Sequence, residues 1–121
     1  MAQRALILAN GRPPAEKQLR ELLKESDFFL CADGGANYAA DLGVKPDMII
    51  GDLDSIKAAT VKKFARVKTR RIADQNSTDL EKALAWLVRS GCKTIVVAGA
   101  TGGRLDHLAG NLSAFGKYAR R

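Results

Sequence analysis

The chain has 121 residues, 46% of them hydrophobic and 27% charged, and a formal net charge of +7. This length predicts a single domain with enough apolar residues to bury a core, which excludes a disordered tail. No run of about 18 apolar residues is present and the first residues lack the features of a signal peptide, so we expect a cytoplasmic protein without a membrane span.

Strands and helices alternate along the chain. In chain order, the sequence predicts strands at 4–10, 27–32, 48–50, 67–73 and 93–100, and helices at 15–25, 36–41, 55–65, 79–90 and from 105 onward. The unbroken apolar run of the first strand is typical of burial on both faces, whereas the basic fourth strand is predicted at an edge. The pattern predicts a three-layer, doubly wound α/β fold (Rossmann-like) with a mainly parallel sheet of about five strands.

The two cysteines, Cys31 and Cys92, lie in or beside apolar strand segments. We expect both to be free, buried thiols. One histidine and two distant cysteines cannot supply the ligands of a zinc site.

The third strand, 48–50, is followed by Gly51 and then by Asp52 and Asp54. Two carboxylates this close repel each other unless a partner neutralises them, and carboxylate oxygens suit Mg²⁺. The alternative is a polar turn in which Asp54 or Ser55 caps the next helix. From this run alone the two interpretations are equally good.

The second strand ends at Asp33, Gly34 and Gly35. Two glycines at a strand-to-helix turn allow backbone N–H groups to face a phosphate or a ribose. The competing interpretation is a tight turn in which Asp33 is the N-cap of the following helix.

Two later loops carry similar residues. Thr78 and Glu81 have the spacing of a capping box, which explains these two residues but not Asp74 in the same loop. After the fifth strand, Gly103 and Arg104 enter the last helix, and without a following lysine this is an anion site rather than a Walker A loop.

All these loops follow strands of one predicted parallel sheet, so they should meet at its carboxyl edge. The chain also has nine aspartates against four glutamates, and aspartate is the acid used at caps, turns and sites rather than inside helices. Several carboxylates, two glycine turns and an arginine at one edge suit a polyphosphate bound through Mg²⁺.

Four motifs in order resemble those of thiamine pyrophosphokinases. They are the segments 31–37, 46–55, 74–84 and 102–107. The resemblance extends from about Leu6 to the end of the chain. It implies an enzyme that transfers a pyrophosphoryl group from ATP to the hydroxyl of thiamine, with Mg²⁺, giving thiamine diphosphate and AMP.

The same resemblance implies roles for individual residues. Asp52, Asp54 and Asp79 resemble the group that holds Mg²⁺ and the polyphosphate and carries the catalysis. The implied substrate-binding and nucleotide-binding residues are Asp33, Gly34, Gln75, Thr78, Gly103, Arg104 and Asp106. Position 76 is Asn where many family members carry an acid, which leaves one negative charge fewer in that loop.

The family also implies a second, β-sandwich domain that helps to form the thiamine pocket and a homodimer. No strand-rich stretch of this kind occurs in the sequence, so we expect residues 1–121 to be the ATP-binding catalytic domain alone. Nucleotide binding should then survive better than turnover.

Three alternatives remain open. The first is a non-catalytic module that binds Mg-nucleotide without a complete thiamine pocket. The second is another Asp-x-Asp metal enzyme, such as a phosphatase. The third, nucleic-acid binding, rests only on the positive charge, and because the basic stretch 62–71 contains a single aromatic residue, we do not expect it.

Overall fold

A computed structural model describes residues 3–51, 56–71 and 79–99, which form a five-stranded parallel sheet with helices on both faces. The elements in chain order are β1 (Arg4–Leu8), α1 (Glu16–Lys24), β2 (Phe28–Ala32), α2 (Gly35–Asp41), β3 (Met48–Ile50), α3 (Ala58–Lys63), β4 (Lys68–Arg70), α4 (Asp79–Arg89) and β5 (Thr94–Ala98). The strand order is β4-β3-β2-β1-β5, and every pairing is parallel. The predicted α/β fold class is confirmed.

The core has two halves, one on each face of the sheet. Leu6 and Leu8 of β1 belong to the half packed against α1 and α2, whereas Ala5 and Ile7 belong to the half packed against α4. Because successive side chains of a strand point to opposite faces, a strand covered on both sides needs apolar residues at every position. The unbroken apolar run of β1 is thereby explained.

Helix α4 crosses one face of the sheet, from the outer strand β4 to the outer strand β5. It follows the edge strand β4, contacts β1, β2 and β3, and leads into β5 at the other edge. Of its predicted buried residues, Leu84 and Leu87 are fully buried, and Leu80 and Val88 pack partly buried against the same half of the core. This path brings the first turn of α4 close to the carboxyl end of β3.

Helix α3 and strand β4 differ most in length from their predicted bounds. Helix α3 begins at Ala58 because Lys57 is extended and donates its N–H to Asn37 Oδ1 at 2.9 Å. Neither Asp54 nor Ser55 is therefore at the N-cap of this helix. Strand β4 pairs over three residues because its partner β3 has only three.

The predicted edge position of β4 is confirmed, and all three of its residues are exposed. Cys31 and Cys92 are free and buried as predicted, and burial raises the pKa of both thiols. Within the described ranges, no helix has the length and apolar character needed to cross a membrane. The helix predicted from 105 onward lies outside those ranges.

Candidate functional site at the carboxyl edge

Three residues from separate segments meet at the carboxyl edge of the sheet. Asp33 follows β2, Gly51 follows β3, and Asp79 begins α4. A Cβ atom placed on Gly51 would lie 3.0 Å from the Asp33 Cβ and 3.2 Å from the Asp79 Oδ1. Gly51 also has φ +144, which side-chain-bearing residues rarely adopt. The absence of a side chain here lets the two carboxylates approach from either side.

Asp33 is held rigidly by its backbone. Its N–H donates to the Ile50 carbonyl at 2.7 Å, its carbonyl accepts from the Ala36 N–H at 3.1 Å, and its φ is +46. Aspartate is among the few residues that tolerate this left-handed conformation. The main chain of β3 thereby fixes where the Asp33 side chain begins.

The side chain of Asp33 is 3% exposed, and its Oδ1 accepts no hydrogen bond from any part of the chain that the structure describes. The N-cap of α2 is Gly34, and the helix has no side-chain cap. The interpretation of Asp33 as an N-cap residue is therefore wrong. A buried carboxylate oxygen without a donor is costly, and a bound ion or an ordered water would compensate it.

Asp79 is paired with a buried lysine. Lys82 Nζ lies 3.7 Å from Asp79 Oδ1, and Lys82 is 8% exposed. Lys82 is not among the residues predicted from the sequence to form the site. The available signal was its spacing, because residues three apart on a helix lie on the same face, and Asp79 was already a candidate site residue.

The arrangement fits a hard divalent cation. Asp33 contributes a buried oxygen without a partner, and Asp79 contributes a second carboxylate across Gly51. Mg²⁺ prefers one or two protein carboxylates, with the remaining positions taken by water and phosphate oxygens. Within the described ranges, no three His, Cys, Asp or Glu side chains form a metal-binding group. A third ligand of these four residue types would therefore come from outside the described ranges.

A polar recess lies beside this cluster, where β1 and β2 end. The cavity measures about 230 Å³ and is lined in part by Asn10, Gly34, Asn37 and Lys57. A Cβ on Gly34 would collide with the Asn10 Oδ1, so a larger residue there would require the Asn10 side chain to move. Gly34 thus lies in the wall of a cavity, together with Asn10, which is not among the residues predicted from the sequence to form the site.

The structure brings together Asp33, Gly34 and Asp79 among the predicted site residues. The others lie outside the described residues, namely Asp52, Asp54, Gln75, Thr78, Gly103, Arg104 and Asp106. The predicted capping box at Thr78 and Glu81 is likewise not covered, because Thr78 lies outside.

Comparison with known proteins identifies one family. Residues 19–121 match the family model described as thiamin pyrophosphokinase, catalytic domain. Thiamine pyrophosphokinase 1 of Arabidopsis thaliana is 34% identical over 138 residues, covering 94% of this chain and 51% of that protein. The thiamine pyrophosphokinase of Bacillus subtilis is 31% identical over 109 residues, covering 88% of this chain and 51% of that protein. The chain thus spans about half the length of the curated relatives it matches.

Solved structures agree with the sequence match. The thiamin pyrophosphokinase of Geobacillus thermodenitrificans superposes with a TM-score of 0.68 and 32% identity, over 98% of this chain and 56% of that one. The yeast enzyme, at 24% identity and a TM-score of 0.63 over 74% of this chain and 32% of that one, supports the fold alone.

Proposed function

The chain belongs to the thiamin pyrophosphokinase catalytic-domain family, and from this premise we propose that it transfers a pyrophosphoryl group from ATP to the hydroxyl of thiamine in a Mg²⁺-dependent reaction. The products are thiamine diphosphate and AMP. The site of this reaction is the carboxyl edge of the sheet around Gly51. Open α/β folds place their ligands at this edge.

One observation carries the proposal. The buried Asp33 oxygen that has no partner among the described residues lies across Gly51 from the Asp79 carboxylate. Folding brings two acidic groups together at a cost unless a cation neutralises them. Lys82 pairs with the Asp79 carboxylate, but the Asp33 Oδ1 has no donor among the described residues, and a bound cation would compensate it.

In the proposed reaction, the hydroxyl oxygen of thiamine forms a bond to the β-phosphorus of ATP. The bond from that phosphorus to the oxygen bridging the α- and β-phosphates breaks, AMP leaves, and an aspartate accepts the hydroxyl proton. Mg²⁺, when bound, would neutralise charge on the polyphosphate oxygens. Positioning and charge neutralisation supply most of the rate.

Asp33 and Asp79 would hold the cation, and we propose that Asp52 and Asp54 join them, because both follow Gly51 directly in the chain. Gln75, Thr78, Gly103, Arg104 and Asp106 are proposed nucleotide contacts on the strength of their motifs. Gly34 and Asn10 form a wall of the adjoining recess, where close backbone approach allows a phosphate or ribose to bind.

The matched relatives are about twice as long as the segment they share with this chain. We therefore propose that residues 1–121 form the catalytic domain that binds the metal and the nucleotide, and that a further domain completes the thiamine pocket. We then expect these 121 residues to retain nucleotide binding better than they retain turnover of thiamine.

The test is calorimetric titration of Mg-ATP into the chain, with and without thiamine. We expect metal-dependent binding that the double variant Asp52→Ala/Asp54→Ala abolishes. Asp27→Asn is the control, because Asp27 lies at the amino ends of the strands and an amide oxygen can still accept one of the two backbone N–H groups there. Its affinity should equal that of the wild type.

The outcomes separate the candidates. Binding lost in the double variant, together with formation of AMP and thiamine diphosphate, supports the proposed enzyme. Binding without turnover, even when thiamine is saturating, favours a non-catalytic Mg-nucleotide module. A folded chain that binds no Mg-ATP contradicts both.

A further inference from the structure

Lys82 is a buried, positively charged residue at the carboxyl edge. Its side chain is 8% exposed, and its Nζ lies 3.7 Å from the Asp79 Oδ1. The same oxygen lies 3.2 Å from the position of a Cβ on Gly51, so the ammonium group is bound to the carboxylate that approaches Asp33. At 3.7 Å the contact is an ion pair rather than a short hydrogen bond.

Burying an ammonium group costs several kcal/mol unless nearby negative charge compensates. On most of α4 the residues packed against the core are apolar, including Ala83, Leu84 and Leu87. A lysine at this depth destabilises the fold unless nearby negative charge compensates its own, and the Asp79 carboxylate is such a charge. The position of Lys82 beside the carboxylates indicates that its charge acts on what they bind.

We infer that Lys82 is a positioning residue that makes the carboxylate cluster favour a divalent cation arriving with a polyphosphate over the bare cation. This inference rests on the proposed function and deepens it. A fixed positive charge beside the site repels a bare divalent cation. It attracts a cation–triphosphate complex, whose total charge is negative.

The sign of this effect does not depend on how many aspartates complete the site. Each added carboxylate changes the overall affinity for cations, but Lys82 still subtracts from the binding of a positive ligand and adds to that of a negative one. The low exposure of Lys82 limits screening by salt, so the effect persists at physiological ionic strength. Lys82 also holds the Asp79 carboxylate at the face of α4 that looks toward Gly51.

The experiment compares Lys82→Met with the wild type on two probes. The first is Mn²⁺ alone, with bound and free ion counted by electron paramagnetic resonance. The second is Mg²⁺ with inorganic tripolyphosphate, followed by calorimetry. We expect Lys82→Met to bind Mn²⁺ roughly tenfold more tightly and Mg-tripolyphosphate roughly tenfold more weakly.

Two variants act as controls. Lys82→Arg retains the charge and should stay within about twofold of the wild type on both probes, because the Coulomb term is preserved. Lys24→Met removes an exposed lysine at the end of α1 and should leave both affinities unchanged. Circular dichroism establishes whether each variant folds. If Lys82→Met does not fold, the same two titrations are made on Lys82→Gln.

Equal affinities in wild type and variant, or shifts in the same direction on both probes, would overturn the inference. The proposed function fails differently, through a chain that binds Mg-tripolyphosphate but neither binds Mg-ATP nor makes thiamine diphosphate. In that case opposite shifts on the two probes would still support the role of Lys82.

Discussion

Aspartates lie at both edges of the sheet, but the two edges treat them differently. At the amino edge, the carboxylate of Asp27 accepts the Gln3 and Arg4 N–H groups at 3.0 and 3.2 Å, and Asp47 accepts the Phe29 N–H at 2.8 Å. At the carboxyl edge, Asp33 is buried, and its Oδ1 has no donor in the described part of the chain.

This contrast separates structural from functional use of the same side chain. An aspartate that accepts backbone N–H groups at a strand start replaces a hydrogen bond that water would otherwise supply. A buried carboxylate oxygen left without a donor weakens the folded state, so its persistence points to a ligand. The aspartates of the amino edge stabilise the fold, whereas Asp33 at the carboxyl edge is a destabilising group that the proposed cation would compensate.

The largest expected effect is at Asp33. Asp33→Asn should weaken Mg-ATP binding by about a hundredfold or more, because a charge and a cation ligand are lost together. Its free energy of unfolding should stay unchanged or rise by about 1 kcal/mol, because a buried charge is removed. Calorimetry and urea unfolding measure the two quantities. A large loss of stability would show that Asp33 is structural, like the aspartates of the amino edge.

Gly51 tests how closely the two carboxylates must approach. Gly51→Ala should lower the free energy of unfolding by about 2–4 kcal/mol, because φ +144 is strained for alanine and its Cβ would lie 3.0 Å from that of Asp33. Gly43→Ala is the matched control. Gly43 has φ +71 but open space around it, so we expect a loss of about 1 kcal/mol. Equal losses in urea unfolding would mean that crowding at Gly51 is unimportant.

Substitution of an aspartate at the amino edge should have the opposite effects to Asp33→Asn, with a loss of stability and no loss of Mg-ATP binding. Asp47→Ala should lower the free energy of unfolding by about 1 kcal/mol, because the Phe29 N–H loses its acceptor. Asp47→Asn keeps an acceptor oxygen and should lose less. Both variants should bind Mg-ATP as the wild type does. Weakened binding with an intact fold would break the distinction between the two edges.

The smallest effect concerns the buried thiols. Because burial raises the pKa of Cys31, the folded chain keeps the neutral thiol at a pH where the unfolded chain ionises. The contribution of the neutral thiol to the free energy of unfolding is therefore complete only well below about pH 8.5. It is lost as the pH rises, by about 1 kcal/mol between about pH 8.5 and 9.5. Comparing urea unfolding of the wild type and Cys31→Ala across this range isolates the thiol. Parallel pH profiles would show that Cys31 ionises equally in both states.

Much of the architecture follows from local pattern. The apolar runs, the helical spacing and the glycine turns predict all nine described elements in their order, and the basic character of β4 predicts its edge position. The motifs identify the family because four of them occur in the right order. These features are readable because each depends on residues close together in the chain.

Other features depend on contacts between segments that are distant in the chain, and only the tertiary structure shows them. Asn37 sets the start of α3 by accepting the Lys57 N–H. The three-residue β3 limits the length of β4. Asp33 is not an N-cap residue, because β3 fixes its backbone. One of its carboxylate oxygens has no hydrogen-bond donor among the described residues. The burial of Lys82 follows from where α4 crosses the sheet. Sequence patterns state which residues are polar, but only packing decides which polar atoms are removed from water and which of those are given a partner.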